Sequence, residues 1–285
     1  MTLSDPMATI ATAAYMTPNV ASPPLKPAKL YLNGFPKSGL HLADRMAVGM
    51  LAPLQPDWNW FGTNAWTTER HNLPAAALAL GGIKPGTFIK GHMGYLKALE
   101  ALFVGLGIGM VFVYRDLRDV VVSMAHHIHD QTHKDNLYFP YADDFTGLDL
   151  EATMIGVIEG RGELVGLIER WETYAPWLDC EWVLKMPFKE MRHKNQRAAG
   201  SLFDYLFDVA MDYSGMQGSF TNPRIRKAAI AGILTEMKQT QLSPTYRQGK
   251  TGSWKRAFTP AVTAAFKAHD PGWLVRLGYA KDGNW

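Results

Sequence analysis

A turn that combines glycine, lysine and serine is the first group of residues whose types and spacing suit chemistry. It follows a short apolar run that ends at Gly34, and it precedes an amphipathic stretch. A strand, a turn and a helix start bring backbone N–H groups and the positive end of a helix to one point, which suits a phosphate. The turn is not a Walker A loop, because its glycine-to-lysine interval is too short. Its residues are Phe35-Pro36-Lys37-Ser38-Gly39.

Arg115 stands at the end of a second apolar run. It follows the segment from Gly109 to Tyr114, and Ser123 comes about two helical turns later. Ligands of parallel α/β sheets bind at the carboxyl ends of the strands, and an arginine can hold an anion with two hydrogen bonds. We therefore expect Arg115 and Ser123 to line an anion site. The alternative is an ion pair between Arg115 and Asp119, with Ser123 as a packing residue.

A third candidate segment lies near the C-terminus, from Tyr246 to Lys255. Its glycines and its cationic and amide side chains suit a loop that wraps an anion. A solvated turn is the alternative for this segment, as a plain strand-to-helix turn is for residues 35–39. Three such segments in one chain support one another more than any of them does alone.

Short apolar runs bounded by glycine, proline or charge alternate with amphipathic stretches along the chain. This alternation predicts an α/β fold: a single domain with a central, mostly parallel sheet flanked by helices, and a P-loop-like turn at a strand end. Residues 1–28 are rich in proline and alanine, which predicts a poorly ordered arm before a domain of residues 29–285. The predicted strands are Lys29–Gly34, Thr87–Gly91, Gly109–Tyr114 and Trp182–Met186.

Composition excludes several classes of protein. The 285 residues include one cysteine, Cys180, which cannot form an internal disulfide. Lysine and arginine number 29 against 26 aspartates and glutamates. This excess is too small for a protein that coats nucleic acid. The longest apolar run, residues 101–114, is shorter than the roughly 20 residues that span a membrane. With no basic residue near the N-terminus, these features predict a cytoplasmic protein without membrane anchor or nucleic-acid partner.

Together, the three segments resemble the motifs of the sulfotransferases that use 3′-phosphoadenosine 5′-phosphosulfate (PAPS) and release 3′-phosphoadenosine 5′-phosphate (PAP). Residues 35–39 resemble the family's Y-P-K-S-G loop, which holds the 5′-phosphosulfate. Arg115 to Ser123 resembles R-[ND]-P-x-D-x-x-x-S, whose first and last residues hold the 3′-phosphate. Residues 247–255 resemble R-K-G-x-x-G-D-W-K, a loop that closes over the same phosphate. The resemblance covers residues 29–255 and implies a divergent member of the cytosolic type.

The resemblance also implies a set of donor-binding residues that need no metal. Leu40 and His41 stand where the family has hydroxyl residues, so they would act through backbone N–H groups. Leu42 stands where animal members have an aromatic residue on the adenine. The animal dimer motif, K-x-x-x-T-V-x-x-x-E, is degraded after Lys255, which leaves the oligomeric state open. The implied donor-binding residues are Pro36, Lys37, Ser38, Gly39, Leu40, His41, Arg115, Ser123, Arg247, Gln248 and Gly249.

Lys90 and His92 resemble the ends of the family's K-T-H segment. The resemblance implies that His92 deprotonates the acceptor and that Lys90 stabilises the transferred sulfuryl group. A neutral imidazole suits proton acceptance near pH 7; a structural role at a strand end is the alternative. Lys37 would neutralise charge on the leaving phosphate during in-line transfer. The implied acceptor is a small molecule with a hydroxyl or an amine.

Four histidines follow Ser123: His126, His127, His129 and His133. On a continuous helix His126, His129 and His133 share a face, where they could bind a metal or line the acceptor site. They match no established zinc motif, so we predict no metal.

Two other functions stay open on the residues alone. One is a nucleotide kinase that uses the turn at residues 35–39 for ATP, although the Walker A spacing is missing. The other is a PAP-binding module without catalysis, which the replacement of hydroxyl residues at Leu40 and His41 would explain.

Overall fold

The computed structural model describes residues 28–51, 59–60, 73–132, 141, 143–213, 223–239 and 249–285. The arm expected over residues 1–28 falls outside this part of the chain, apart from Ala28, and stays a prediction. No helix in the described ranges is long and apolar enough to cross a membrane.

Five parallel strands form the central sheet within the described residues. They are β1 (Lys29–Gly34), β2 (Asn59–Trp60), β3 (Phe88–Gly91), β4 (Ile108–Tyr114) and β5 (Val183–Pro187). Their order is β2-β3-β1-β4-β5, and each neighbouring pair is parallel. Because the strands are parallel, β1, β3 and β4 end at the same edge of the sheet. In the sheet, β2 and β3 lie on one side of β1, and β4 and β5 lie on the other side. Open parallel sheets bind ligands at the carboxyl ends of the strands where the strand order reverses in this way.

The two faces of the sheet carry separate apolar clusters, because neighbouring side chains of a strand point to opposite faces. On β1, Tyr31 belongs to one cluster and Leu32 to the other. On β4, Phe112 and Val113 are divided in the same way. Both faces are therefore covered, which explains why these strands are continuous apolar runs in the sequence.

Helices pack on both sides of the sheet. Those nearest the candidate site are α1, which follows β1 and packs on α9, and α4, which follows β4 and packs on α5. The described helices are α1 (Leu40–Leu51), α2 (Leu73–Gly81), α3 (Lys97–Gly105), α4 (Leu117–Thr132), α5 (Leu150–Glu159), α6 (Leu167–Glu172), α7 (Phe188–His193), α8 (Asn195–Tyr213), α9 (Pro223–Met237), α10 (Trp254–Ala257), α11 (Pro260–His269) and α12 (Trp273–Arg276).

The structure confirms the predicted fold class, and the strand bounds differ from the predicted ones by single residues. β1 has the predicted bounds, whereas β3 begins at Phe88 and β4 at Ile108. The sequence pattern does not predict β2, because two residues are too few to show a periodicity.

Candidate functional site

Residues 35–39 form a tight turn between β1 and α1. The amide of Phe35 donates to the carbonyl of Val113 on β4 (3.1 Å), and the amide of Ser38 donates to the carbonyl of Phe35 (3.1 Å). Lys37 has a φ of 64° and Gly39 a φ of 97°. The left-handed conformation costs Lys37 roughly 1 kcal/mol, because a side chain disfavours it. Such turns direct successive amides toward one concavity, where an anion can bind.

Ser38 is fully buried in this turn. Its Oγ makes no hydrogen bond to any residue within the described ranges. Buried hydroxyls in proteins are nearly always paired. An oxygen of a bound phosphate or sulfate would supply the partner, and the donor-binding role of Ser38 stays a prediction.

Gly39 lies against the ring of Phe188, the first residue of α7. A Cβ atom at position 39 would come within 2.3 Å of Cδ2 and 2.7 Å of Cε2 of that ring. The guanidinium of Arg115 also lies over this ring, with its Cζ 4.6 Å from the ring centroid. Position 39 therefore requires glycine both for its φ and for its contact with Phe188.

We expect Gly39→Ala to lower the free energy of unfolding by about 2 kcal/mol, since the new methyl group meets Phe188 and strains the backbone. Urea denaturation measures the change. Gly81→Ala is the matched control, because a Cβ at Gly81 meets no atom within 4 Å; it should change stability by less than about 1 kcal/mol. Equal midpoints for the two variants would contradict the tight fit at Gly39.

Arg115 joins the turn at residues 35–39 to the C-terminal loop, whose described residues are 249–253. Its Nη1 donates to the carbonyl of Lys37 (3.4 Å), and its Nη2 donates to the carbonyl of Lys250 (2.6 Å). The same Nη2 lies 3.7 Å from Oδ2 of Asp119. The ion pair offered as an alternative for Arg115 is thus present, and it holds the guanidinium beside the turn at the carboxyl end of β4.

Asp119 fixes the C-terminal loop to the start of α4. Its Oδ2 accepts from the amide of Gly252 (2.7 Å), and its Oδ1 accepts from the amide of Trp254 (3.1 Å). The residue is 1% exposed. The sequence predicts no role for Asp119 beyond a pair with Arg115; the aspartate in the family motif is the signal that could have identified it.

The other predicted donor-binding residues are described only in part. Arg247 and Gln248 lie outside the described residues and stay predictions. Gly249 follows them with a φ of 57°, and Gly252 has a φ of 76°, so this loop also uses left-handed glycines. Ser123 lies partly buried on α4.

His92 has a defined orientation at the end of β3. Its Nδ1 lies 2.6 Å from the carbonyl oxygen of Gly34. Since a carbonyl oxygen only accepts, Nδ1 carries the hydrogen and Nε2 carries the lone pair. Burial lowers the pKa of His92 to about 4, against the opposing effect of the Gly34 hydrogen bond. The imidazole is therefore neutral near pH 7 and can accept a proton at Nε2.

The backbone next to His92 is held by two buried side chains. Asn33 pairs with Met93 twice: Nδ2 donates to the Met93 carbonyl (2.8 Å), and Oδ1 accepts from the Met93 amide (2.8 Å). The indole Nε1 of Trp177 donates to the same carbonyl (2.9 Å). These contacts continue the pairing of β1 beyond the end of β3 and fix the position of His92.

Lys90 pairs with a carboxylate that the sequence does not predict for this site. Its Nζ lies 2.8 Å from Oδ1 of Asp44 on α1, and both side chains are largely buried. Burial raises the pKa of Asp44, although the hydrogen bond and charge of Lys90 oppose the shift.

His41 lies near the cationic side chains of Lys90 and Lys37. Burial lowers its pKa to about 4, and the positive charges of Lys90 and Lys37 lower it further. Leu40, in contrast, is buried in the apolar cluster below the sheet edge, so only its backbone can contact a donor. Leu42 is buried in the same cluster.

The histidines on α4 do not form a metal site within the described residues, where no group of three potential ligands comes together. Nε2 of His129 lies 3.0 Å from Oγ1 of Thr153 on α5. His126 and His127 are partly buried, and His133 lies outside the described residues.

A cleft of about 550 Å³ adjoins Arg115. Two carboxylates in its wall are already bound: Asp119 by the loop amides, and Asp116 by Nε (3.0 Å) and Nη2 (2.8 Å) of Arg118. Lys189 and Lys255 also line the cleft. Its wall therefore presents positive charge next to the guanidinium of Arg115.

Comparisons with known proteins show the family and the fold of the chain. The family model described as "Sulfotransferase domain" matches residues 83–270. Mouse sulfotransferase SULT7A1 complexed with PAP is 17% identical, with a TM-score of 0.52 and coverage of 90% of this chain and 86% of that chain. Retinol dehydratase in complex with androsterone and the inactive cofactor PAP is 14% identical, with a TM-score of 0.50 and coverage of 86% and 80%. A search of curated proteins found no match.

Proposed function

Because this chain belongs to the sulfotransferase domain family, we propose that it transfers the sulfuryl group of PAPS to a hydroxyl or amine of a small-molecule acceptor. One observation carries the proposal. The turn at residues 35–39, where the Ser38 hydroxyl has no partner among the described residues, and the neutral imidazole of His92 meet at the same sheet edge. The hydrogen bond from His92 to Gly34 joins them.

The donor-binding residues form two groups, one for the 5′-phosphosulfate and one for the 3′-phosphate. The turn at residues 35–39, with the amides at the start of α1, binds the 5′-phosphosulfate. Arg115 and Ser123 bind the 3′-phosphate, together with the loop that includes Arg247, Gln248 and Gly249. The hydrogen bonds of Arg115 to the carbonyls of Lys37 and Lys250 support this division, because they hold the guanidinium between the two groups.

PAPS supplies an activated sulfuryl group, and the chain supplies position, charge and a proton acceptor. Nε2 of His92 takes the proton of the acceptor hydroxyl while the hydroxyl oxygen forms a bond to sulfur. The bond from sulfur to the 5′-phosphate oxygen breaks, and that oxygen keeps the electron pair. The ammonium of Lys37 stabilises the charge on the departing PAP, and Lys90, oriented by Asp44, stabilises the sulfuryl oxygens.

Thermal unfolding with PAP tests the donor assignment without knowledge of the acceptor. A ligand at about 100 times its dissociation constant stabilises a fold by about 2.7 kcal/mol. We expect PAP to raise the melting temperature in the absence of magnesium. No response to PAP, together with a response to ATP and magnesium, would contradict the proposal and favour a nucleotide kinase.

Labelled PAPS with a panel of phenols, alcohols and amines then tests catalysis. Transfer of label to any member of the panel is the expected result. Binding of PAP without transfer to any acceptor would favour a PAP-binding module instead.

A further inference from the structure

The C-terminal segment forms one wall of the cleft beside Arg115. The amide of Tyr279 donates to the carbonyl of Leu274 (2.8 Å), which closes a turn after α12. The carbonyl of Tyr279 accepts from Nη2 of Arg118 (3.0 Å) on α4. The guanidinium of Arg118 lies in turn 3.7 Å from the ring centroid of Trp254. These contacts fix Tyr279 against the first turn of α4, the turn that carries Asp119.

The hydroxyl of Tyr279 is buried in this wall and makes no hydrogen bond to any described residue. Tyr279 lines the cleft together with Arg115, Asp119 and Thr251. Two carboxylates stand nearby, but both are bound by other groups: Asp116 by Arg118, and Asp119 by the loop amides. An acceptor bound in the cleft would satisfy this hydroxyl, since buried polar groups in proteins are usually hydrogen-bonded.

The protonation state of Tyr279 suits a donor. Burial raises its pKa above the ordinary value, and the negative charges of Asp116 and Asp119 raise it further, while Arg115 opposes them. Tyr114 acts in the same direction as the carboxylates. The phenol therefore keeps its hydrogen near pH 7, and it can donate to an anion.

We propose that the hydroxyl of Tyr279 donates a hydrogen bond to the 3′-phosphate that Arg115 holds. The inference rests on the proposed function, because it needs a nucleotide with a 3′-phosphate at Arg115. It adds to the site a residue from the C-terminal segment, beyond the motifs from which the sequence predicts the site. Phosphate oxygens accept several hydrogen bonds, and bonds to charged groups are the strong ones.

Tyr279→Phe tests the proposal by calorimetric titration with two ligands, PAP and adenosine 5′-monophosphate, which lacks the 3′-phosphate. We expect the variant to bind PAP about tenfold more weakly, the effect of one hydrogen bond to a charged group. Its affinity for adenosine 5′-monophosphate should change by less than about twofold. Tyr31→Phe is the matched control, because its hydroxyl is also buried without a hydrogen bond to described residues, but it packs on Phe103 outside the cleft.

The outcomes separate this inference from the function on which it rests. If the wild-type chain does not bind PAP, both are overturned. If the wild type binds PAP and Tyr279→Phe binds it equally well, only the role of Tyr279 is overturned. Equal losses for both ligands would assign Tyr279 to the general structure of the site and overturn its contact with the 3′-phosphate.

Discussion

His92→Gln is expected to lower the rate of sulfuryl transfer by about 10²- to 10⁴-fold, the usual contribution of a general base. The amide of glutamine has no basic nitrogen, so the acceptor hydroxyl keeps its proton. PAP affinity should stay close to that of the wild type, because the hydrogen bond of His92 beside the turn ends on the backbone carbonyl of Gly34, which the substitution leaves in place. Turnover of labelled PAPS with an acceptor from the panel, and calorimetric titration with PAP, measure the two quantities. Wild-type turnover in this variant would refute the base.

The same variant has an effect on stability that needs no acceptor. The pKa of His92 is about 4 in the folded chain and 6.5 in its reference state, so the unfolded chain takes up the proton first as the pH falls. The wild type therefore loses about 2 kcal/mol between pH 7 and pH 5 through His92. His92→Gln should lack this part of the loss in urea denaturation at the two pH values. An identical pH dependence in both proteins would show that His92 is not held neutral.

Asp119→Asn is expected to lower the free energy of unfolding by about 3 kcal/mol. Loss of one charged partner from a buried ion pair has an effect of about this size. The asparagine keeps one acceptor oxygen, but its amide group turns a donor toward a second N–H or toward Arg115. The loop at Gly252 and Trp254 is then held at one point only. PAP affinity should fall by at least about tenfold, because this loop also positions Lys250 against the guanidinium of Arg115.

Asp204→Asn is the control for Asp119→Asn. Asp204 pairs with Arg226 through two hydrogen bonds of 2.8 and 2.7 Å, but the two side chains are 51% and 41% exposed. Exposed pairs contribute at most about 1 kcal/mol, and this one is remote from the candidate site. Similar losses in urea denaturation for the two variants, or unchanged PAP affinity in Asp119→Asn, would count against the role of Asp119 as the anchor of the loop.

The parts of the site that the sequence predicts are those in which neighbouring residues act together. The turn at residues 35–39 follows its strand directly, so residue order alone reveals a glycine, a lysine and a serine at a helix start. Arg115 is predictable for the same reason, since it ends an apolar run. The fold class follows likewise from local alternation of apolar and amphipathic stretches.

Contacts between distant residues leave no such pattern. The pair of Lys90 with Asp44 joins β3 to α1, and the double hydrogen bond of Asn33 with Met93 spans 60 residues. Neither asparagine nor aspartate has a neighbour in the sequence that indicates its partner. The burial of Leu40, which restricts it to backbone contacts, depends on the packing of α1 and is equally invisible before the fold is known.

The hydrogen bonds around Arg115 also bear on the order of folding. Arg115 reaches Lys250 across 135 residues, and Asp119 reaches Gly252 and Trp254 across 133 and 135. Closing loops of this length costs chain entropy that only many later contacts offset. The turn at residues 35–39 joins consecutive elements and can form together with the sheet. The hydrogen bonds of Arg115 and Asp119 to the C-terminal loop form only when the last part of the chain docks. The proposed nucleotide site therefore depends on the docking of the last part of the chain, and we expect it to form late in folding.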